Sequence, residues 1–127
     1  MIKFIQCVRR QSNLSVAEFR QYWDAYREKV QALAEVSQAV RFAMSTTLRV
    51  EQNIRIMTSR GTDEPYDGLV EIWWKKGPDA LEILSRPESQ AQISEVRHLQ
   101  EEFMDLGKSS FFFGAEEVYL DRDAEGG

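Results

Sequence analysis

The chain has one cysteine, one histidine and no run of basic residues, and each scarcity removes a class of chemistry. Cys7 alone leaves no internal disulfide framework and no multi-cysteine metal site, which suits a reducing compartment and predicts a cytoplasmic protein. Any mechanism that needs an imidazole must use His98. With 16 Lys and Arg against 21 Asp and Glu, the formal net charge is -5 and neither sign is clustered, so nothing supplies the counterion release that drives nucleic-acid binding. No apolar run approaches the roughly 18 residues of a membrane span. The opening MIKFIQCVRR has no long apolar core behind a basic leader, so neither a signal peptide nor a membrane partner is expected. What is present is enough for one sizeable core: 127 residues, 43% of them hydrophobic and 11% aromatic.

Ile2 to Arg9 reads as a strand closed by the polar cluster Gln11, Ser12, Asn13. Ser15, followed three residues later by Glu18, is a capping box, with Leu14 and Phe19 placed to staple across it. Phe19, Trp23, Tyr26, Val30 and Leu33 then recur at helical spacing and predict an amphipathic helix to about Glu35. Val40, Phe42, Met44, Thr46 and Leu48 alternate with Arg41, Ala43, Ser45, Thr47 and Arg49, the pattern of a second strand. Between Val50 and Arg60 a short helix stopped by Gly61 and a strand extension carrying Ile54 and Ile56 fit equally well. Tyr66 to Lys75 reads as the third strand, and Gly77 and Pro78 open a short helix that ends near Pro87. Ile93, Val96, Leu99, Phe103 and Leu106 stripe a longer helix ended by Gly107. Ser109 to Leu120 is the last strand, so residues 1–120 make one domain and 121–127 a fraying polar tail.

Strand, helix, strand, strand, helix, strand is the order of an α+β, ferredoxin-like domain, an antiparallel sheet with its helices on one face. In the third strand Gly68, Val70, Ile72 and Trp74 point one way and Leu69, Glu71 and Trp73 the other; in the last, Phe111 and Phe113 oppose Phe112 and Val118. A sheet apolar on both faces would leave a large patch in water, so a homodimer is expected in which two sheets close into a barrel with an internal cavity.

The residues that carry a family likeness are Arg10, Leu14, Ser15, Glu18, Phe19, Tyr22 and Trp23, then Tyr66, Asp67, Gly68, Glu71 and Trp73, then Asp105, Ser109, Phe112 and Glu117. In their order and spacing the chain resembles the EthD family, a branch of the dimeric alpha-beta barrel superfamily, from Ile2 to about Leu120. The resemblance implies a ferredoxin-like fold paired through its sheets. It also implies small-molecule work without an organic cofactor, since relatives include ether-degradation accessory proteins, lactone isomerases, and polyketide cyclases, decarboxylases and monooxygenases. The family pattern implies a His four residues after the Trp of the Tyr-Trp pair, where this chain has Arg27.

Glu71, between Leu69 and Trp73, is the candidate general base if the barrel desolvates it; the alternative is a structural ion pair with an Arg or Lys across the barrel. Arg27, one turn after Trp23, would grip a carboxylate or enolate oxygen at the cavity mouth, or else pair with Asp24; Lys3 is a candidate of the same kind or a solvated strand-end lysine. Tyr22 and Trp23 read as packing or ligand contacts, Asp67 as a turn-shaping residue or a ligand contact, and Trp73, Phe111 and Phe113 as a seat for a flat ligand or as dimer core. His98 falls on the side of its helix away from the stripe, and Cys7 reads as an inert strand residue. The expected ligand is a small apolar or aromatic acid or a lactone-like compound, handled by a metal-free, cofactor-free isomerase, cyclase or dehydratase/lyase. The alternatives are a non-catalytic accessory protein and a haem-dependent or cofactor-free oxygenase.

Overall fold

The computed structural model describes residues 1–123, leaving the last four residues of the expected tail outside the described residues. In chain order its elements are β1 (Ile2–Val8), α1 (Val16–Val36), β2 (Arg41–Thr46), α2 (Glu51–Arg60), β3 (Gly68–Trp74), α3 (Gly77–Ser85), α4 (Pro87–Phe103) and β4 (Ser110–Ala115). The strands form one sheet in the order β2-β3-β1-β4, every neighbouring pair antiparallel, which is the ferredoxin-like arrangement with two additional helices, α2 and α3. Among the described residues no helix is long and apolar enough to cross a membrane.

The capping box closes α1 at its start: Glu18 N–H donates to Ser15 Oγ at 3.1 Å, and Ser15 N–H donates back to the Glu18 carboxylate at 2.9 Å. At its end Gln38 turns left-handed (φ 59°) and Ala39 N–H returns to the Ala34 carbonyl at 2.9 Å. The apolar stripe of α1 is buried throughout, from Phe19 to Leu33, and joins Val96 and Phe103 of α4 and Val8, Val70, Ile72 and Trp74 of the sheet in one core. Burying each such side chain is worth about 1.5–3 kcal/mol. Phe103 is the hub, with Tyr22 stacked parallel to it at 5.4 Å, Tyr26 edge-on at 5.4 Å and Phe19 at 5.8 Å.

Gly68 sets how close α1 comes to the sheet, because a Cβ there would lie 2.6 Å from Cη2 of Trp23. In the segment with two readings, the helix prevails: α2 ends on Gly61 in the left-handed region (φ 66°), whose N–H reaches the Met57 carbonyl. None of its residues is buried.

Two boundaries differ from expectation. The last long helix stops at Phe103 instead of running to Leu106, because Met104 turns extended to bridge with Arg10 and Asp105 N–H donates to the Arg9 carbonyl at 2.8 Å. Leu106 and Gly107 fall in a 3-10 turn. The last strand stops at Ala115 rather than Leu120: β4 runs antiparallel to β1, Ala115 pairs with Ile2, and Glu116 N–H finds the Met1 carbonyl at 2.9 Å. Val118 therefore lies beyond the sheet and is exposed, not on the face opposite Phe111.

The register divides the side chains. Phe4 pairs with Ile72 and Phe113, and Gln6 with Val70 and Phe111, so these face the helices; Lys3 pairs with Trp73, and Ile5 with Glu71 and Phe112, so these face away. The open face is less apolar than the alternation alone implies. Ile5, Leu69, Ala43 and Phe112 share it with a charged group around Trp73.

Candidate functional site

The space between the sheet and the pair α3–α4 is incompletely filled. A cavity of about 690 Å³ lies there, with Phe4, Trp74, Phe111 and Phe113 on the sheet side and Leu84, Ile93 and Val96 on the helix side. That falls inside the roughly 300–1,000 Å³ of ordinary small-molecule sites. The aromatic wall is ordered: Phe4 and Phe113 lie 4.9 Å apart, Trp74 and Phe113 6.3 Å apart. The Trp74 indole N–H donates to the Ser37 carbonyl at 3.1 Å, which satisfies its one polar atom and leaves the ring to line the cavity.

Two amides, Gln6 of β1 and Gln100 of α4, also line this space. Both are buried and both meet the phenol of Tyr26, whose hydroxyl donates to Gln6 Oε1 at 2.6 Å and accepts from Gln100 Nε2 at 2.8 Å. Burial is the main cause that raises the Tyr26 phenol far above its ordinary range, so it stays protonated. The charged side chains on the lining, Arg97 and Glu101, are both exposed.

A second cluster occupies the open face. Lys3 Nζ is 2.7 Å from Glu71 Oε2 and 3.3 Å from Glu116 Oε2, and the Trp73 indole N–H donates to Glu116 Oε2 at 2.8 Å. The Arg41 guanidinium lies 4.4 Å from the centre of a Trp73 ring and Lys3 Nζ 5.3 Å, so the indole is only 3% exposed although no helix covers it. The Glu71 carboxylate holds the Lys3 ammonium above its ordinary value, and the indole bond, helped by Lys3, holds Glu116 below the usual carboxylate range.

The structure brings some expected site residues together and parts others. Lys3, Glu71 and Trp73 share the open face, where Glu71 pairs with a lysine of its own sheet rather than across a barrel. Phe111 and Phe113 are not with them; strand alternation sets these rings on the helix side, so they and Trp73 cannot form one seat. Arg27 also stands apart from Glu71, on the exposed surface of α1. There its Nη1 donates to Gln31 Oε1 at 2.9 Å rather than pairing with Asp24. The reason is geometric: Gln31 lies one full turn on and presents an acceptor along the same face.

Trp23 is buried beneath Gly68, and Tyr22 is half-buried against Phe103. Asp67 does more than shape a turn: it accepts from Arg10 N–H at 2.8 Å and lies 2.6 Å from Arg10 Nη1 and 3.3 Å from Arg49 Nη2, locking the β1–α1 loop to β3. His98 is exposed. Cys7, half-buried on the open face, has its thiol pushed up by burial. Among the described residues no three His, Cys, Asp or Glu side chains gather as metal ligands.

Tyr26 enters pattern reading only as part of the α1 stripe, and Gln6 and Gln100, on the cavity wall, are not singled out by it. Two signals mark them: Gln6 is the one polar residue in the alternation Ile2, Phe4, Gln6, Val8, and Gln100 interrupts the stripe between Val96 and Phe103.

The fold recurs in proteins of distant sequence. A dimeric ferredoxin-like protein from Bacteroides fragilis NCTC 9343 is 13% identical, with a TM-score of 0.60 over 91% of this chain and 95% of that one. An EthD-family protein from Bacillus halodurans C-125 is 11% identical, with a TM-score of 0.59 over 92% and 99% of the two chains. The hydroxynitrile lyase of Passiflora edulis is 13% identical, with a TM-score of 0.60 over 94% and 96%. Likeness at such identities establishes the fold alone. A search of the curated proteins returns no match. The EthD domain model, in contrast, matches residues 11–107, from the loop before α1 through the 3-10 turn after α4, and the chain belongs to the EthD family.

Proposed function

We propose that the protein binds a small, mostly apolar ring compound, of the aromatic-acid or lactone kind, in the cavity between its sheet and α3–α4, and that two copies pair through their open sheet faces. The carrying observation is the cavity itself. Protein interiors are close-packed, and a space of about 690 Å³ walled by Phe4, Trp74, Phe111 and Phe113, with two oriented amides in the wall, has the composition of a ligand site. Pairing is supported by Phe112, 46% exposed on an uncovered sheet face beside Ile5 and Leu69, and by the dimeric state of the Bacteroides protein.

A thermal-shift panel of two-ring aromatic acids, amides and lactones tests the ligand reading. At least one compound should raise the melting temperature, and Leu84→Trp, which fills the cavity from α3, should abolish the rise. A panel without effect on the wild-type protein would sink it. Sedimentation at micromolar concentration tests the pairing: the wild-type protein should run as a dimer and Phe112→Glu as a monomer.

A second reading has one observation in its favour. Lys3 and Glu71 sit 2.7 Å apart on a face that a second sheet would desolvate, the setting of a cofactor-free isomerase, cyclase or dehydratase/lyase with Glu71 as base and Lys3 steadying oxyanion charge. Arg27 has no place in it, being on the far side of the sheet.

A further inference from the structure

The Tyr26 hydroxyl has one proton, and that limits what its two neighbours can offer a ligand. It gives the proton to Gln6 Oε1 and receives one from Gln100 Nε2. A buried hydroxyl between two amides is satisfied only when one amide presents oxygen to it and the other nitrogen. The ends left over must then be of opposite kind: Gln6 keeps its NH2 and Gln100 its carbonyl. Were the chain of bonds reversed, the two would exchange roles and the pair would still be one donor and one acceptor.

These free ends are not used by the protein's own hydrogen bonds: neither bonds to another described residue, and both residues line the cavity. Among the described residues the one side-chain polar atom both sealed from solvent and unpartnered is Ser89 Oγ, so the free ends of Gln6 and Gln100 are open to the cavity. Both amides bond to one oxygen, so the free donor and the free acceptor belong to residues joined through Tyr26 and lining the same cavity. Among the described residues the one cation on the lining is Arg97, which is exposed and shares the lining with Glu101.

We infer that the cavity selects a neutral ring compound carrying an acceptor next to a donor, such as a primary carboxamide or a lactam, over the corresponding carboxylate; the inference rests on the cavity being the ligand site, as proposed above, and replaces the acid with its neutral amide counterpart. A carboxylate would meet one N–H and one carbonyl oxygen. It would lose its hydration without a compensating charge and would face the carbonyl with like polarity. A carboxamide satisfies both ends at once.

Calorimetric titration of the full chain with 2-naphthamide, 2-naphthoate and naphthalene at pH 7.5 tests this. The amide should bind about tenfold or more tighter than the acid. Tyr26→Phe, which releases both amides to rotate, should reduce that preference to about threefold or less. If Tyr26→Phe does not fold, Gln100→Met serves the same purpose by removing the acceptor. Naphthoate binding as tightly as naphthamide, or a preference unchanged in the variants, overturns the inference and leaves the cavity a ligand site of another class. If none of the three binds, the ligand reading fails as well.

Discussion

Replacing Gly68 by alanine measures how tightly α1 is seated on the sheet. The new Cβ would lie 2.6 Å from Trp23 Cη2 and 2.7 Å from Cζ2, about 0.8 Å short of the 3.4 Å at which ordinary contact begins. Trp23 has little room to yield: it is 6% exposed, stacked on Phe19 at 5.2 Å and set beside Tyr26 at 6.0 Å. The strand is held as firmly, with Gly68 in register between Val8 and Thr46 and the Ser45 carbonyl 3.2 Å from the added carbon. Overpacking of this kind costs about 2–3 kcal/mol. Trp23→Phe removes the clashing atoms and alone costs about 1–2 kcal/mol through the space it leaves. The double variant should be less destabilised than the sum of the two by about 1.5 kcal/mol, since each change relieves the other. Urea unfolding followed by far-UV circular dichroism gives all three values. A Gly68→Ala penalty under about 0.5 kcal/mol, or two penalties that simply add, would refute the close approach of α1 to β3.

The open-face cluster makes two further predictions. Glu116 is held below its ordinary 4.5 by the Trp73 indole and by Lys3, so the stability it contributes is present above that value and is lost as pH falls through the lowered one. Glu116→Gln should flatten the fall in melting temperature below about pH 5, and parallel slopes in the two proteins would remove the contact from the account. Lys3 acts in the opposite sense: its raised value keeps its contribution intact below 10.5 and loses it above. Glu71→Gln should cost about 0.5–1 kcal/mol, because both ends of the pair are one-fifth exposed. It should leave affinity in the cavity unchanged, since Glu71 stands on the other face; lost turnover in this variant would instead favour the catalytic reading.

Legibility along the chain followed the range of the interactions involved. The start of α1 could be read because a capping box and a stripe of spacing four and three are local, set by residues within two turns of each other. The segment of α2 could not be assigned, because Ile54 and Ile56 satisfy both periods and none of its residues is buried to choose between them. Leu106 extended the stripe of α4 on paper. The helix nevertheless stops at Phe103, where Arg9 and Arg10, about ninety residues earlier, take up the backbone of Asp105 and Met104.

The same division holds at the site. Alternation placed Glu71 with Trp73 on one face and Phe111 with Phe113 on one face of their own strand, since a strand's side chains alternate whatever surrounds it. That these two pairs lie on opposite sides of the sheet depends on the register of β1 between β3 and β4, which no single segment carries. Capping and periodicity by themselves determined the order of the four strands and the two long helices and the buried face of α1, while the family came from a resemblance in particular residues and their spacing. Only the tertiary structure decided where the ligand-sized space lies, that Lys3 neutralises Glu71, and that Gln6, Tyr26 and Gln100 meet, because these rest on contacts between residues far apart in the chain whose partners are selected by packing rather than by neighbours.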